Sequence, residues 1–169
     1  MTISPWRSVV AGAAATAVLI LSGCSTSRAP EATGSATAQG VAVAVTLLPL
    51  SGGQHSLQVT FSPRQAGFHI YSIDLPAHGV DGLGIPTRLS VRGDLTAISM
   101  PTANQTTRLL RPAGLSTEIP VYPDGPVTFT VPVRQTGAHQ ADVLVSYGAC
   151  SETTCLIPVN DEVIHLSLH

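Results

Sequence analysis

The sequence predicts an all-β domain, built as an antiparallel sandwich of two sheets, behind a secretory leader and a flexible tether. Short runs of alternating apolar and polar residues recur along most of the chain. The 15 glycines and 13 prolines separate many of these runs, and only 11% of the residues are charged. Short strands at regular spacing, without a convincing helical period, are typical of a two-sheet sandwich.

Residues 1–23 have the pattern of a secretory leader. Arg7 supplies its positive charge, and the apolar run over 9–21 is too short for a membrane span, which needs about 20 residues. The leader ends in Leu21-Ser22-Gly23-Cys24, which resembles the bacterial lipobox and implies that Cys24 becomes the lipidated first residue. More than one acyl chain anchors a protein stably, so we expect membrane attachment. An ordinary signal peptide and an uncleaved anchor are the alternatives.

The lipidated cysteine and the segment after it, residues 24–40, are predicted to form a tether. The segment after Cys24 is small and polar and has no large apolar side chain, so it cannot bury enough surface to fold. We therefore expect a disordered link between the membrane and a domain that spans residues 41–169.

Turn residues divide this domain into strands. Ser51-Gly52-Gly53 and the Pro- and Gly-containing segment 62–67 mark two of the turns. Pro132 indicates that its strand lies at an edge or ends nearby. The predicted strands are 41–48, 55–61, 68–73, 87–92, 95–100, 127–133, 142–147 and 159–168.

Two stretches, 74–86 and 101–124, lack a regular pattern. The first is rich in glycine and proline, and the second is the least regular part of the domain. Loops of this length are usually functional or mobile.

Charge excludes one class of function. Without the leader the chain has seven arginines, no lysine and ten acidic residues, a formal net charge of −3. A nucleic-acid partner requires a basic face, which this composition does not provide.

A lipidated Cys24 is a thioether, which leaves Cys150 and Cys155 for thiol chemistry. A polar four-residue loop between two strands places its flanking residues opposite each other, ~4.5–5.5 Å apart at Cα, within disulfide range. Such a small ring removes little chain entropy, on the order of 2 kcal/mol. The spacing is therefore compatible with a bond that opens and closes and equally with a bond that only holds a loop.

Three segments resemble one family, the N-terminal periplasmic (disulfide bond corrector) domain of the thiol:disulfide interchange protein DsbD. They are Ala66–Ser72, Gly84–Thr87 and Tyr147–Pro158, and the resemblance covers roughly residues 40–169. Its most specific part is a Tyr followed closely by Cys, a short loop, Cys, an apolar residue and Pro. The family implies an immunoglobulin-like sandwich, here as a stand-alone bacterial lipoprotein.

The resemblance also implies site residues. Cys150 and Cys155 match a pair that cycles between dithiol and disulfide, and Tyr71 matches a strand tyrosine near it. His69 falls where the family carries another aromatic. We expect Tyr71 and Tyr147 to shield the sulfurs and offer a hydroxyl, although both fit equally well as ordinary strand aromatics.

The chain departs from the family at the loop that caps the disulfide. Relatives carry acidic residues and a Phe there, whereas 101–124 contains no Asp-Glu-Phe. Relatives also fuse this module to a membrane core and a thioredoxin-like domain, so we expect the partners to be separate chains. The candidates for the lid are Leu109, Leu110 and Tyr122, with Glu118 as the nearby acid.

The resemblance predicts a membrane-anchored, extracytoplasmic thiol-disulfide oxidoreductase, in effect a protein-disulfide reductase. It would take electrons from a membrane or thioredoxin-like donor and reduce oxidised extracytoplasmic proteins, without a cofactor or metal. One alternative is a lipid-anchored, immunoglobulin-like binding module with a structural disulfide. The other is a metal-handling lipoprotein, in which His69 and His78 would join the two cysteines.

Overall fold

The computed structural model describes residues 1–2, 29–112 and 116–169. The predictions for Cys24 and for nearly all of the leader lie outside these residues. Within the described ranges, no helix is long and apolar enough to cross a membrane.

The described residues form an all-β sandwich, as the sequence predicts. The strands are β1 Ala32–Ala38, β2 Val41–Pro49, β3 Gln54–Pro63, β4 His69–Ile70, β5 Arg88–Gly93, β6 Leu95–Ala97, β7 Thr102–Ala103, β8 Arg108–Leu110, β9 Ile119–Val121, β10 Val127–Gln135, β11 Gln140–Tyr147, β12 Ala149–Cys150 and β13 Val159–Ser167. One sheet has the strand order β1-β2-β3-β10-β6, with β7 also paired to β10, and the facing sheet has the order β13-β11-β5. Two short ladders, β12-β4 and β8-β9, lie beside them.

The core lies between the two main sheets. Every second residue of β3 and β10 is buried, because successive side chains of a strand point to opposite faces. The ring of Phe61 on β3 packs edge-on against Phe129 on β10 at 5.6 Å and against Tyr147 on β11 at 5.1 Å. This aromatic contact joins the two sheets and is the favoured geometry for such pairs.

The tether prediction is wrong for Ala32–Ala38, which form β1. This strand pairs with β2 from Ala32 opposite Leu47 to Ala38 opposite Val41. A Cβ at Gly34 would come within 2.8 Å of the His165 carbonyl oxygen on β13. The small residues that suggest disorder thus allow β1 to pack closely on the other sheet.

The prediction that Pro132 marks a strand edge or end is also wrong. Its strand, β10, continues to Gln135 and is flanked by β3 and β6. The Pro132 carbonyl accepts a hydrogen bond from the Ile98 N–H at 2.8 Å. Since the N and O of one residue point to the same side of a strand, the missing N–H faces the break between β6 and β7.

Two other predictions need adjustment. The strand predicted at 68–73 is reduced to the two residues of β4, with an isolated bridge from Tyr71 to Val121. The region 101–124 is more regular than expected, because it contributes β7, β8 and β9. Residues 113–115, between β8 and β9, lie outside the described ranges.

Candidate functional site

Cys150 and Cys155 form a disulfide at one end of the sandwich. Their Sγ atoms are 2.08 Å apart and their Cα atoms 4.0 Å apart. Cys150 ends β12, and the two cysteines face each other as an isolated antiparallel bridge. The pairing expected from the four-residue spacing is therefore present.

Ser151 holds the loop between the cysteines in shape. Its N–H donates to the Thr154 carbonyl at 2.7 Å, and its Oγ accepts from the N–H groups of Thr153 at 3.3 Å and Thr154 at 3.2 Å. Such a side-chain turn satisfies backbone groups that a short loop leaves open. The loop stays ordered by contacts of its own.

The two sulfurs differ in accessibility. Cys150 is 3% exposed, whereas Cys155 is exposed. A thiolate from another protein can therefore reach Cys155, while Cys150 lies behind it in the domain.

Tyr71 lies directly on the disulfide. Its hydroxyl is 2.9 Å from Cys150 Sγ and 3.9 Å from Cys155 Sγ. Burial raises the pKa of Tyr71, so the phenol keeps its proton and can donate a hydrogen bond to sulfur. The structure thus brings Tyr71 and both cysteines together.

His69 lies opposite Cys150 in the β4–β12 ladder and is fully buried. Its Nδ1 is 3.2 Å from Asp124 Oδ1. A carboxylate only accepts hydrogen bonds, so Nδ1 carries the proton and Nε2 is left as a buried acceptor without a partner. Burial and the nearby charge of Arg108 lower the pKa of His69, although Asp124 opposes them.

Asp124 is held as a carboxylate at the edge of the site. Partial desolvation raises its pKa, but the hydrogen bonds donated by Arg108, at 3.0 Å, and by His69 lower the pKa by more, so the net shift is downward. The imidazole of His69 is thereby fixed in one tautomer. Sequence reasoning missed Asp124, because the residue lies 55 positions from His69.

A small apolar cluster, separate from the main core, surrounds the buried sulfur. It draws on the two segments without regular sequence pattern, 74–86 and 101–124. Its buried members are Tyr71, Leu75, Leu110, Ile119, Val121 and Cys150, with Val80 and Leu83 packed against them.

Of the lid candidates, Leu110 belongs to this cluster. Leu109 is 64% exposed, and Tyr122 is buried in the main core against Phe129. Glu118 forms an exposed ion pair with Arg111 at 2.7 Å. The structure therefore supports Leu110 and gives Leu109, Tyr122 and Glu118 other surroundings.

Tyr147 lies elsewhere than expected. Its ring packs in the main core, and its hydroxyl donates to the Ala38 carbonyl at 3.0 Å. Burial, with a contribution from Glu162, raises the pKa of Tyr147 to about 12. Its hydroxyl serves the β1–β2 turn, so the expectation that it is offered to the sulfurs is wrong.

The structure gathers only part of the ligand set of the metal alternative, since His69 lies opposite Cys150 but both sulfurs are joined in the disulfide. His69 is buried on Asp124, and His78 is exposed in the loop after β4. In the part of the chain that the structure describes, no three His, Cys, Asp or Glu side chains are grouped as a metal ion would require.

Three further residues support Tyr71, and sequence reasoning did not single them out. The Thr87 hydroxyl donates to the Tyr71 carbonyl at 2.7 Å, and Gly84 and Gly148 contact its ring. All three belong to the segments that carry the family resemblance. Glycine permits such a close approach, but no local signal in the sequence links these three residues to Tyr71.

The fold and site define an immunoglobulin-like β-sandwich that carries a half-buried disulfide in a short hairpin loop. A scan against protein-family models finds no match, and a search of the curated proteins finds none either. The solved structures do include similar folds.

One is the N-terminal periplasmic domain of ScsB from Proteus mirabilis, with a TM-score of 0.58 and 17% identity over 83% of this chain. This chain covers 52% of the length of that one. Another is the N-terminal domain of DsbD from Neisseria meningitidis in the reduced form, with a TM-score of 0.42 and 13% identity over 73% of this chain and 88% of that one. The ScsB likeness shows that this chain shares the fold of that periplasmic domain.

Proposed function

We propose that the protein is a membrane-anchored, extracytoplasmic thiol-disulfide exchange protein. It passes electrons from a thioredoxin-like or membrane donor to oxidised protein partners through Cys150 and Cys155. The observation that carries this proposal is the asymmetry of the pair, one exposed sulfur bonded to one buried sulfur. Exchange requires one accessible sulfur and a second one close enough to resolve the mixed disulfide.

Reduction begins when a thiolate of a dithiol partner attacks Cys155 Sγ. A bond forms between the partner sulfur and Cys155, the Cys150–Cys155 bond breaks, and its electron pair leaves on Cys150 as a thiolate. The second partner thiolate then attacks the first partner sulfur and releases Cys155. The partner ends as a disulfide and this protein as a dithiol.

The reverse exchange reduces a substrate. The Cys155 thiolate attacks the substrate disulfide, and the mixed disulfide is resolved when the Cys150 thiolate attacks Cys155 Sγ. The bond between Cys150 and Cys155 forms again, and the substrate leaves with both electrons. The neighbouring loop supplies no cation to activate Cys155, and Glu152 there is acidic. A docking partner would have to supply that activation.

The proposed location depends on Cys24 as a lipid-modified residue after a signal peptide at 1–23. Since β1 begins at Ala32, the link between lipid and domain is residues 25–31. Seven residues span at most about 25 Å when extended. The domain would work close to the membrane surface, within reach of a membrane-embedded electron donor.

Trapping of mixed disulfides tests the proposal. The full chain with Cys150→Ser keeps the exposed thiol, and we expect it to form a stable mixed disulfide with a thioredoxin-like protein that lacks its second cysteine and is activated as a mixed disulfide with a small thiol, which leaves. The matched Cys155→Ser chain keeps the buried thiol, and we expect at least tenfold less adduct. If neither chain forms an adduct, the disulfide is structural and the protein is better described as a tethered binding module.

A further inference from the structure

We propose that Gly84 and Gly148 are positioning residues, which clamp the Tyr71 ring so that its hydroxyl stays on Cys150 Sγ and stabilises that sulfur as the leaving thiolate. This inference deepens the proposed function and rests on the same disulfide.

The two glycines contact opposite edges of one ring. A Cβ at Gly84 would lie 3.2 Å from Tyr71 Cε1, and a Cβ at Gly148 would lie 2.8 Å from Cδ2 and 3.1 Å from Cε2. Real Cβ atoms essentially never approach below 3.0 Å. An added Cβ at Gly148 must therefore displace the ring, and one at Gly84 presses on its other edge and also meets Leu75 Cδ2 at 2.9 Å.

The backbone of Tyr71 is fixed as well. Its N–H donates to the Gly148 carbonyl at 3.3 Å, and its carbonyl accepts from the Thr87 hydroxyl at 2.7 Å. The residue also bridges to Val121 on the other side. With the main chain held and a glycine position against each ring edge, the hydroxyl is kept at 2.9 Å from Cys150 Sγ.

The chemistry of the exchange explains why that geometry matters. When a thiolate attacks Cys155, the broken bond leaves a negative charge on Cys150, among apolar side chains. Desolvation disfavours such a charge, and a hydrogen bond to it becomes charge-assisted and stronger than the bond to a neutral sulfur. A better leaving thiolate leaves faster, so the Tyr71 hydroxyl accelerates opening of the disulfide.

The test measures the rate at which dithiothreitol reduces the full chain at pH 7. Samples are quenched by alkylation and digested with trypsin, which releases residues 135–169 with both cysteines and without Cys24 because no Lys or Arg follows Arg134. We expect Tyr71→Phe to slow reduction about tenfold and Gly148→Ala to slow it by a similar factor. In a Tyr71→Phe background, Gly148→Ala should have no further effect.

Gly84→Ala tests the other edge and needs a control for backbone strain. Gly84 has φ of +81°, and Gly67 has φ of +77° with no atom near its missing Cβ. Gly67→Ala thus carries the same strain without the ring contact, and we expect only Gly84→Ala to slow reduction. Gly148 has no positive φ, so its substitution tests the contact alone.

Three results would overturn the inference. If Tyr71→Phe is reduced at the wild-type rate, the hydroxyl has no role in opening the disulfide. This result counts even if one of the glycine-to-alanine variants does not fold. If Tyr71→Phe and Gly148→Ala slow reduction independently, so that the double variant shows the product of the two factors, Gly148 does not act through the Tyr71 hydroxyl. If Gly84→Ala and Gly67→Ala slow reduction equally, the effect of Gly84→Ala comes from backbone strain and not from the ring contact. Dithiothreitol replaces the protein partner here, so failure of the proposed function, seen as no protein adduct, is a separate outcome.

Discussion

His69 lies directly opposite Cys150 in the β4–β12 ladder, and its Nε2 is a buried acceptor without a partner. Directly opposed residues project to the same face of an antiparallel pair. The structure thus places a buried imidazole on the same face of this ladder as the Cys150 side chain, tied through Asp124 to Arg108.

Protonation of His69 is expected to destabilise the fold. Burial lowers its pKa below the unfolded value of 6.5, so the unfolded chain binds more protons as the pH falls through this range. Stability should therefore be full above pH 6.5 and decline as the pH falls toward the folded pKa, with a slope of at most about 1.4 kcal/mol per pH unit. Urea unfolding between pH 8 and 5 measures it.

The control for this pH dependence is His78, an exposed histidine in the loop after β4. We expect His69→Tyr, which restores an aromatic without the titrating ring, to flatten the dependence, and His78→Gln to leave it unchanged. A wild-type slope in His69→Tyr would assign the dependence to another group.

Gly34→Ala tests whether β1 belongs to the domain. The added Cβ would meet the His165 carbonyl and Ile164 at 2.8 Å, and such overpacking costs about 1–3 kcal/mol. The adjacent exposed position provides the control, since Ser35→Ala should change the free energy of unfolding by less than about 0.5 kcal/mol. Equal stability of both variants in urea unfolding would return 32–38 to the tether.

Leu110→Ala is expected to uncover Cys150. Leu110 is buried in the apolar cluster around this sulfur, and its truncation should cost about 2–3 kcal/mol and speed alkylation of Cys150 in the Cys155→Ser chain. Leu109→Ala, at an exposed position of the same strand, should change neither quantity. If Leu109→Ala speeds alkylation instead, the other face of β8 is the lid.

Tyr147→Phe tests whether Tyr147 stabilises the core or takes part in the chemistry of the disulfide. Its hydroxyl bonds the Ala38 carbonyl, so its loss should cost about 1 kcal/mol in unfolding experiments. The rate of reduction by dithiothreitol should stay at the wild-type value. A slower rate would bring Tyr147 back into the site.

Period-2 patterns were sufficient to predict most of the sandwich, because strands such as β3 and β10 each bury one face and expose the other. The same logic fails for β1, because its small side chains give no alternating pattern and its close packing on β13 depends on the tertiary structure. It also fails for Pro132, because the sequence around this residue does not show that the neighbouring strand is interrupted between β6 and β7, where the missing N–H would otherwise be needed.

The site was predicted in part. The spacing of Cys150 and Cys155 was enough to predict that they can pair, and the family resemblance was enough to predict that Tyr71 lies near them. The partners Asp124 and Thr87 come from distant segments, and only the folded β4 strand, held between β12 and β9, brings them to His69 and Tyr71. Tyr147 could not be placed from sequence, since the residues just before a cysteine point alternately to the site and to the core.

The most direct measurement is the reduction potential of the Cys150–Cys155 pair. The full chain is equilibrated in dithiothreitol and glutathione buffers, and the peptide 135–169 is scored as dithiol or disulfide. We predict a potential above about −300 mV, the range of exchangeable disulfides. A pair that stays oxidised well below about −300 mV would be a structural bond and would contradict the electron-transfer role.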